Sequence, residues 1–243
     1  MEFEDEAFVL AVRTHGESGA IIEALTRSHG KWAAHVAGGG SRRMAPLMQP
    51  GGRVAMRYRA RLADQLGSTT LEPVGEGPSA LFDDAAALSA LTSACAILAA
   101  ALPEREANPG AFFALEALIS ALDAPQVWPA VMVRFEAGLL EALGFGLDLS
   151  RCAVTGDMDD LAFVSPRTGR AVSAGAGEPY RERLLRLPPF MISAQQTLAV
   201  GDVGDGLAIT GRFLQKFVFD LMDRPLPPAR QRFVERLAAE GRL

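Results

Sequence analysis

The chain has 243 residues, of which 49% are hydrophobic and 22% charged, with a formal net charge of −5. That length accommodates two domains, and the composition excludes a disordered chain. The acidic start, MEFEDEAF, argues against a secretory or mitochondrial leader, and Cys95 and Cys152 stand too far apart to suggest a disulfide framework.

The first 75 residues or so read as five short strands. Ala7–Arg13 (AFVLAVR), Ala20–Thr26 (AIIEALT) and Lys31–Ala37 (KWAAHVA) come first, the last two parted by the turn signal SHG. Gly38–Arg43 (GGGSRR) reads as a flexible hairpin loop carrying two arginines. In Gly51–Ala63, Arg57, Arg59 and Arg61 alternate with Met56, Tyr58, Ala60 and Leu62. The period of two places the arginines on one face of a strand and the apolar residues on the other. Gly67–Val74 supplies a fifth strand, and five strands in so short a span fit a small barrel.

GEGPS (Gly75–Ser79) punctuates the chain, and the pattern then becomes helical. Leu81–Leu102 reads as a long apolar helix. Its core run, Ala85–Leu102, follows Asp83 and Asp84 and suits a buried helix better than a membrane span. Ala111–Leu122 and Val127–Leu143 carry apolar residues at helical spacing and are predicted as helices. Residues of about 150–178 read as a hairpin-like insert. Short helices are predicted at Tyr180–Arg186 and Ser193–Leu198, and two longer ones at Gly211–Asp223 and Pro228–Glu240. The expected domains are therefore 1–77, a barrel, and 78–243, helical with the insert.

Charge is segregated along this acidic chain. Between Ala24 and Ala63 there is no Asp or Glu, while Arg27, Lys31, Arg42, Arg43, Arg53, Arg57, Arg59 and Arg61 fall in that window. Such a stretch suits a polyanion, and a small barrel with a basic, partly aromatic face is one way to hold a single nucleic-acid strand. Trp32 and Tyr58 are the candidate stacking rings; Tyr58, on the apolar face of its strand, is expected in the core. If about five phosphates of a single strand are engaged, log affinity should fall against log salt with a slope near −3.5. Charge reversal at Arg57, Arg59 and Arg61 is expected to weaken binding more than reversal at Arg230 and Arg232.

Enzymatic signatures are missing. GGG at 38–40 lacks the G-x-x-x-x-G-K-[ST] spacing of a phosphate loop, and His15, His29 and His35 have no nucleophile motif nearby. DMDD (Asp157–Asp160) reads as a solvated acidic turn, and Cys95 as a small buried residue. Arg134 stands out on an otherwise apolar helix. It either pairs with Glu136 or Glu141 or offers its charge beside an apolar groove suited to an acidic-hydrophobic peptide tail.

HGES, then LTRSHGKWAAHVAGGGSRR, LMQPG, RFEAGLLEALGFGLDLSRCAVTG and LAFVSPRTGRAV together resemble the RecO family of bacterial recombination mediators over most of residues 8–180. The resemblance implies an OB-fold amino-terminal domain and a helical domain with a zinc-finger-like insert. It implies a protein that is not an enzyme; with the acidic start, a cytoplasmic, nucleoid-associated location is expected, without membrane contact or cofactor. The implied partners are single- and double-stranded DNA, RecR, the C-terminal tail of single-stranded DNA-binding protein and, indirectly, RecA. Lys31, Arg42 and Arg43 match the family's basic positions and join Arg27, Trp32, Arg57, Arg59 and Arg61 as the expected DNA-binding set; Arg134 matches the position near the proposed tail site. At the family's two C-x-x-C pairs this chain has Cys152, Thr155, Ser173 and Ala176. One thiol of four remains and no histidine follows His35, so no structural zinc is expected. An interaction adaptor with weak nucleic-acid binding is the alternative, and a hydrolase or transferase with a dispersed site is a third reading.

Overall fold

The computed structural model describes residues 1–62, 65–75, 84–193 and 195–243. They fall into two compact units, Met1–Asp123 and Ala124–Leu243. GEGPS, the expected boundary at 77/78 and the start of the first predicted helix lie wholly or partly outside the described residues.

Unit 1 is built on five strands: β1 (Glu2–His15), β2 (Gly19–Thr26), β3 (Gly30–Val36), β4 (Arg53–Arg59) and β5 (Gly67–Pro73). They close into a barrel in the order β1-β2-β3-β5-β4, antiparallel throughout except where β3 meets β5. This is the expected OB-like barrel. Alternation drives it: in β4, Val54, Met56 and Tyr58 are buried and Ala55, Arg57 and Arg59 exposed. Those apolar side chains join Ala7, Val9, Ile22, Ala24, Trp32, Ala34, Val36 and Leu71 in the barrel core. The closure at β4–β5 depends on Gly67. A Cβ there would lie 2.3 Å from Cζ of Tyr58, whose hydroxyl accepts a hydrogen bond from Gly67 N at 3.1 Å.

The strand ends sooner than predicted. Arg61 and Leu62 lie in a bend beyond β4, where alternation no longer applies, and Leu62 is 57% exposed rather than turned inward. The segment after β3 is a string of turns instead of a hairpin loop, stitched by bonds such as Met44 N to Ser41 O and Met48 N to Met44 O. Met44, Leu47 and Met48 pack against the barrel core, which leaves Arg42 and Arg43 on the outside.

Helix α1 (Ala85–Ala101) starts at Asp84, whose carboxylate accepts from Ala86 N and Ala87 N. It and α2 (Pro109–Ala121), capped by Asn108, complete unit 1. Cys95 is fully buried in α1, and burial pushes its thiol up to about 12. Among the described residues no helix is long and apolar enough to cross a membrane.

Unit 2 contains α3 (Trp128–Ala142), a three-stranded sheet of order β7-β6-β8, a short turn of helix, α4 (Ala174–Gly177), then α5 (Asp202–Leu214) and α6 (Pro228–Ala239). The sheet is the insert: β6 (Leu161–Val164) and β7 (Ala171–Ser173) form the expected hairpin, and β8 (Leu185–Arg186) adds a third strand. The helix predicted at Tyr180–Arg186 is a 3₁₀ turn over Glu178–Arg183 that gives way to β8. Ser193–Leu198, one residue of which lies outside the described set, is turn and irregular chain instead of helix. The helix predicted to start at Gly211 starts at Asp202 and passes through a π-helical turn at Gln215–Phe219.

Candidate nucleic-acid and partner-binding sites

The acid-free window does not fold into an acid-free surface. β1 runs antiparallel to β4 with Glu2 opposite Arg59 and Glu4 opposite Arg57. Glu2 Oε1 lies 2.7 Å from Arg59 Nε, Glu4 Oε1 2.5 Å from Arg57 Nε, and Glu6 Oε1 2.5 Å from Arg53 Nε. Glu6 also meets Arg27 at 3.5 Å, and Arg53 reaches Glu116 at 2.7 Å. The acidic N-terminal strand is thus zipped against the basic fourth one. Cross-strand pairs of this kind are worth only a few tenths of a kcal/mol to about 1 kcal/mol when exposed. A phosphate can therefore compete for Arg57 and Arg59, but against a counter-charge already in place.

Lys31 and Trp32 are the clearest corrections to the expected set. Lys31 is 7% exposed, and its ammonium donates to Ala99 O in the last turn of α1. There the helix end carries partial negative charge and unsatisfied carbonyls, which is a natural seat for a buried cation. Trp32 is 3% exposed, its indole N–H donates to His29 O at 2.7 Å, and Arg105 lies over its ring at 4.9 Å. Neither side chain is presented to a strand. Tyr58 is wholly buried, as expected.

What remains in the barrel is Arg42, Arg43 and Arg61. All three are exposed, and none makes an ion pair with a described residue. Arg27 is half-exposed and lies 5.2 Å from the centre of the Phe113 ring.

In unit 2, Arg134 pairs with neither Glu136 nor Glu141. It is exposed on α3 and donates from Nη2 to Phe190 O. With Ala137, Gly138, Glu141, Leu147, Leu149 and Met191 it lines a groove of about 310 Å³. Glu136 is instead fully buried and held by Arg230, with Arg230 Nε to Oε1 and Nη2 to Oε2 both at 2.8 Å. Thr210 donates to the same carboxylate. Burial works against the Arg230 guanidinium, but the charge and hydrogen bonds of Glu136 hold its pKa above the ordinary arginine value. Sequence reasoning took Arg230 for a surface control residue; it is a core ion pair, which no local pattern around it announces.

The insert brings together three of the four residues, Cys152, Thr155, Ser173 and Ala176, that the family resemblance aligns with two C-x-x-C pairs. Cys152 Sγ accepts from Ser173 N at 3.3 Å, Ser173 Oγ at 3.4 Å and Thr155 N at 3.5 Å, and Ala176 lies in α4. One thiol and two hydroxyl residues do not fit zinc, which needs four N or S ligands. No group of three or more His, Cys, Asp or Glu able to hold a metal occurs among the described residues. The sulfur now serves as a hydrogen-bond acceptor that ties the hairpin together. Burial raises its pKa, the donors from Ser173 and Thr155 lower it by more, and the thiol settles near 6, below the ordinary 9.0. A depressed folded value means that Cys152 stabilises fully above pH 9 and loses that contribution as pH falls through about 6. The melting-temperature gap between the wild type and Cys152→Ala is therefore expected to widen from pH 6 to pH 9; a gap independent of pH would show that the thiolate contributes nothing.

A closed five-stranded OB-like barrel with exposed arginines thus precedes helices and a small three-stranded sheet. Comparison with known proteins assigns the family. Residues 1–75 match the family model described as Recombination protein O N terminal, and residues 83–219 the one described as Recombination protein O C terminal. The chain belongs to the recombination protein O family. It is 66% identical to the DNA repair protein RecO of Phenylobacterium zucineum and 65% to that of Caulobacter vibrioides (strain NA1000 / CB15N), each over 243 residues and the full length of both chains. It is 52% identical over 238 residues to the protein of the same name from Rhodospirillum centenum, covering 97% of this chain and 94% of that one.

Proposed function

We propose that this chain is a non-enzymatic DNA repair and recombination mediator. It binds single- and double-stranded DNA, anneals complementary strands and, with RecR, helps load RecA onto DNA coated with single-stranded DNA-binding protein. On this reading it works in the cytoplasm, in association with the nucleoid. The observation that carries the reading is the set Arg42, Arg43 and Arg61: exposed cations without an ion-pair partner among the described residues, on the barrel of a DNA repair family. Phosphate neutralisation by such residues is independent of sequence, as a mediator that acts on any strand requires. Arg57 and Arg59 contribute by exchanging Glu4 and Glu2 for phosphate.

The groove beside Arg134 takes the acidic-hydrophobic tail of single-stranded DNA-binding protein. Apolar residues flank one exposed guanidinium there, and that suits a carboxylate next to aromatic or aliphatic side chains. Arg134→Ala is expected to weaken binding of a synthetic tail peptide about tenfold, the usual scale for one charge-assisted contact of roughly 1.5 kcal/mol, while leaving binding of bare DNA unchanged. Loss of DNA binding together with peptide binding would show that Arg134 does not act at a separate tail site.

The second reading is a protein–protein adaptor with only weak nucleic-acid binding. It is favoured by the pairing of Arg53, Arg57 and Arg59 with the acidic residues of β1. Annealing of complementary strands coated in single-stranded DNA-binding protein separates the two. The mediator anneals them and loses that activity when the coat lacks its acidic tail. The adaptor captures the coat and anneals nothing.

A further inference from the structure

A second group of cations gathers in unit 2, around the turn of the insert. The turn Ser165–Gly169, between β6 and β7, is fastened to the end of α5 by two of them. Arg212 Nε donates to Pro166 O at 3.2 Å, and Lys216 Nζ donates to Arg167 O at 2.7 Å. Arg212 and Lys216 are four residues apart and both reach the same turn. The π-helical stretch Gln215–Phe219 begins between them, a distortion that often marks functional sites.

The carbonyls they bind are neutral. A guanidinium has five N–H donors and an ammonium three, so each cation keeps free donors and its full charge. Arg167, exposed at the tip of the turn, adds a third positive charge. Arg170, on the same hairpin, is paired with Asp148 at 3.3 Å, whereas Arg167, Arg212 and Lys216 have no ion-pair partner among the described residues. Three cations around one turn make a local basic patch in a chain of net charge −5.

We propose that Arg167, Arg212 and Lys216 form a second phosphate-binding surface, which holds the backbone of a nucleic-acid strand in addition to the strand bound by the barrel. The proposal rests on the DNA reading above and deepens it, because annealing needs two strands held by one chain or its copies. Spaced cations on a hairpin tip and a helix suit a repeating phosphodiester better than a single small anion.

The test uses the full chain and the triple variant Arg167→Gln, Arg212→Gln, Lys216→Gln. Glutamine keeps an N–H donor for the two turn carbonyls while removing the charge, and thermal unfolding verifies that the insert stays docked. The probes are a fluorescein-labelled oligothymidylate and a pair of complementary labelled strands. The variant is expected to bind with a salt slope shallower by about 2, to lose affinity roughly tenfold at moderate salt and to anneal correspondingly more slowly. A variant with the wild-type slope and annealing rate overturns this surface and leaves the barrel reading standing. A wild type that binds no strand even at low salt overturns the DNA reading and this surface with it. A charge-dependent difference seen with an oligoglutamate but not with the strand also overturns it, in favour of an acidic peptide.

Discussion

Arg230→Ala is expected to destabilise unit 2 by about 3–5 kcal/mol, the scale for removing one partner of a buried ion pair. Glu136 is fully buried, Arg230 is 7% exposed, and the two share a bidentate contact joining α3 to α6. Arg230 also donates to Leu207 O at 2.7 Å, which brings α5 into the same junction. With the guanidinium gone, a carboxylate remains in the core with only Thr210 to satisfy it. Most of the cost is that stranded charge, not the worth of the pair. Replacing both partners with apolar residues, Glu136→Leu with Arg230→Met, is therefore expected to recover most of the loss. The chain has two tryptophans, Trp32 in unit 1 and Trp128 in unit 2. In a Trp32→Phe background, urea unfolding followed by fluorescence reports on Trp128 and unit 2 alone. A single-variant cost below about 1 kcal/mol would place the pair among ordinary surface bridges.

Reversing Arg42 and Arg43 together to glutamate is expected to lower single-strand affinity about a hundredfold at low salt, since two phosphate contacts are lost and two repulsions gained. The same reversal at Arg57 and Arg59 is expected to cost less. Those side chains already spend part of their charge on Glu4 and Glu2, and their contacts reach phosphate only by displacement. The converse change, Glu2→Gln with Glu4→Gln, is expected to raise affinity, because it frees two arginines without adding a cation. Fluorescence anisotropy with one labelled oligonucleotide ranks all three. A ranking in which the β4 pair matters more than Arg42 and Arg43 would make the zipper, not the turn-rich segment, the principal binding surface.

The barrel was legible in the sequence because its signal is local. Arg57 and Arg59 alternating with Met56 and Tyr58 define two faces without knowledge of a partner strand. The electrostatics were not legible, because they depend on register. Glu2 and Glu4 are separated from Arg59 and Arg57 by more than fifty residues, and only the antiparallel alignment of β1 with β4 sets them opposite one another. Lys31 was misread for a related reason: the feature that buries its charge is the end of a helix that starts more than fifty residues later. The helix predicted from Gly211 begins nine residues earlier, at Asp202, across a stretch that holds two poor helix formers, Gly204 and Gly206. Gly206 belongs inside the helix because a Cβ there would lie 2.8 Å from Cγ1 of Val133, so close packing against α3 overrides its poor helix propensity. The insert was legible as a frame through its glycines and its SPRTG turn. That Cys152, Thr155 and Ser173 still converge followed from the same frame, with hydrogen bonds in place of metal bonds.

On the proposed function, exposed arginines without an ion-pair partner among the described residues hold nucleic-acid backbone regardless of sequence. The most direct test is the salt dependence of single-strand affinity for the unmodified chain. Three barrel cations alone give a log–log slope of about −2, and engagement of the three cations of unit 2 as well steepens it toward about −4. A slope of −2 or steeper, the same for oligonucleotides of different sequence, is the predicted result. A slope near zero, or no binding at low salt, would contradict it.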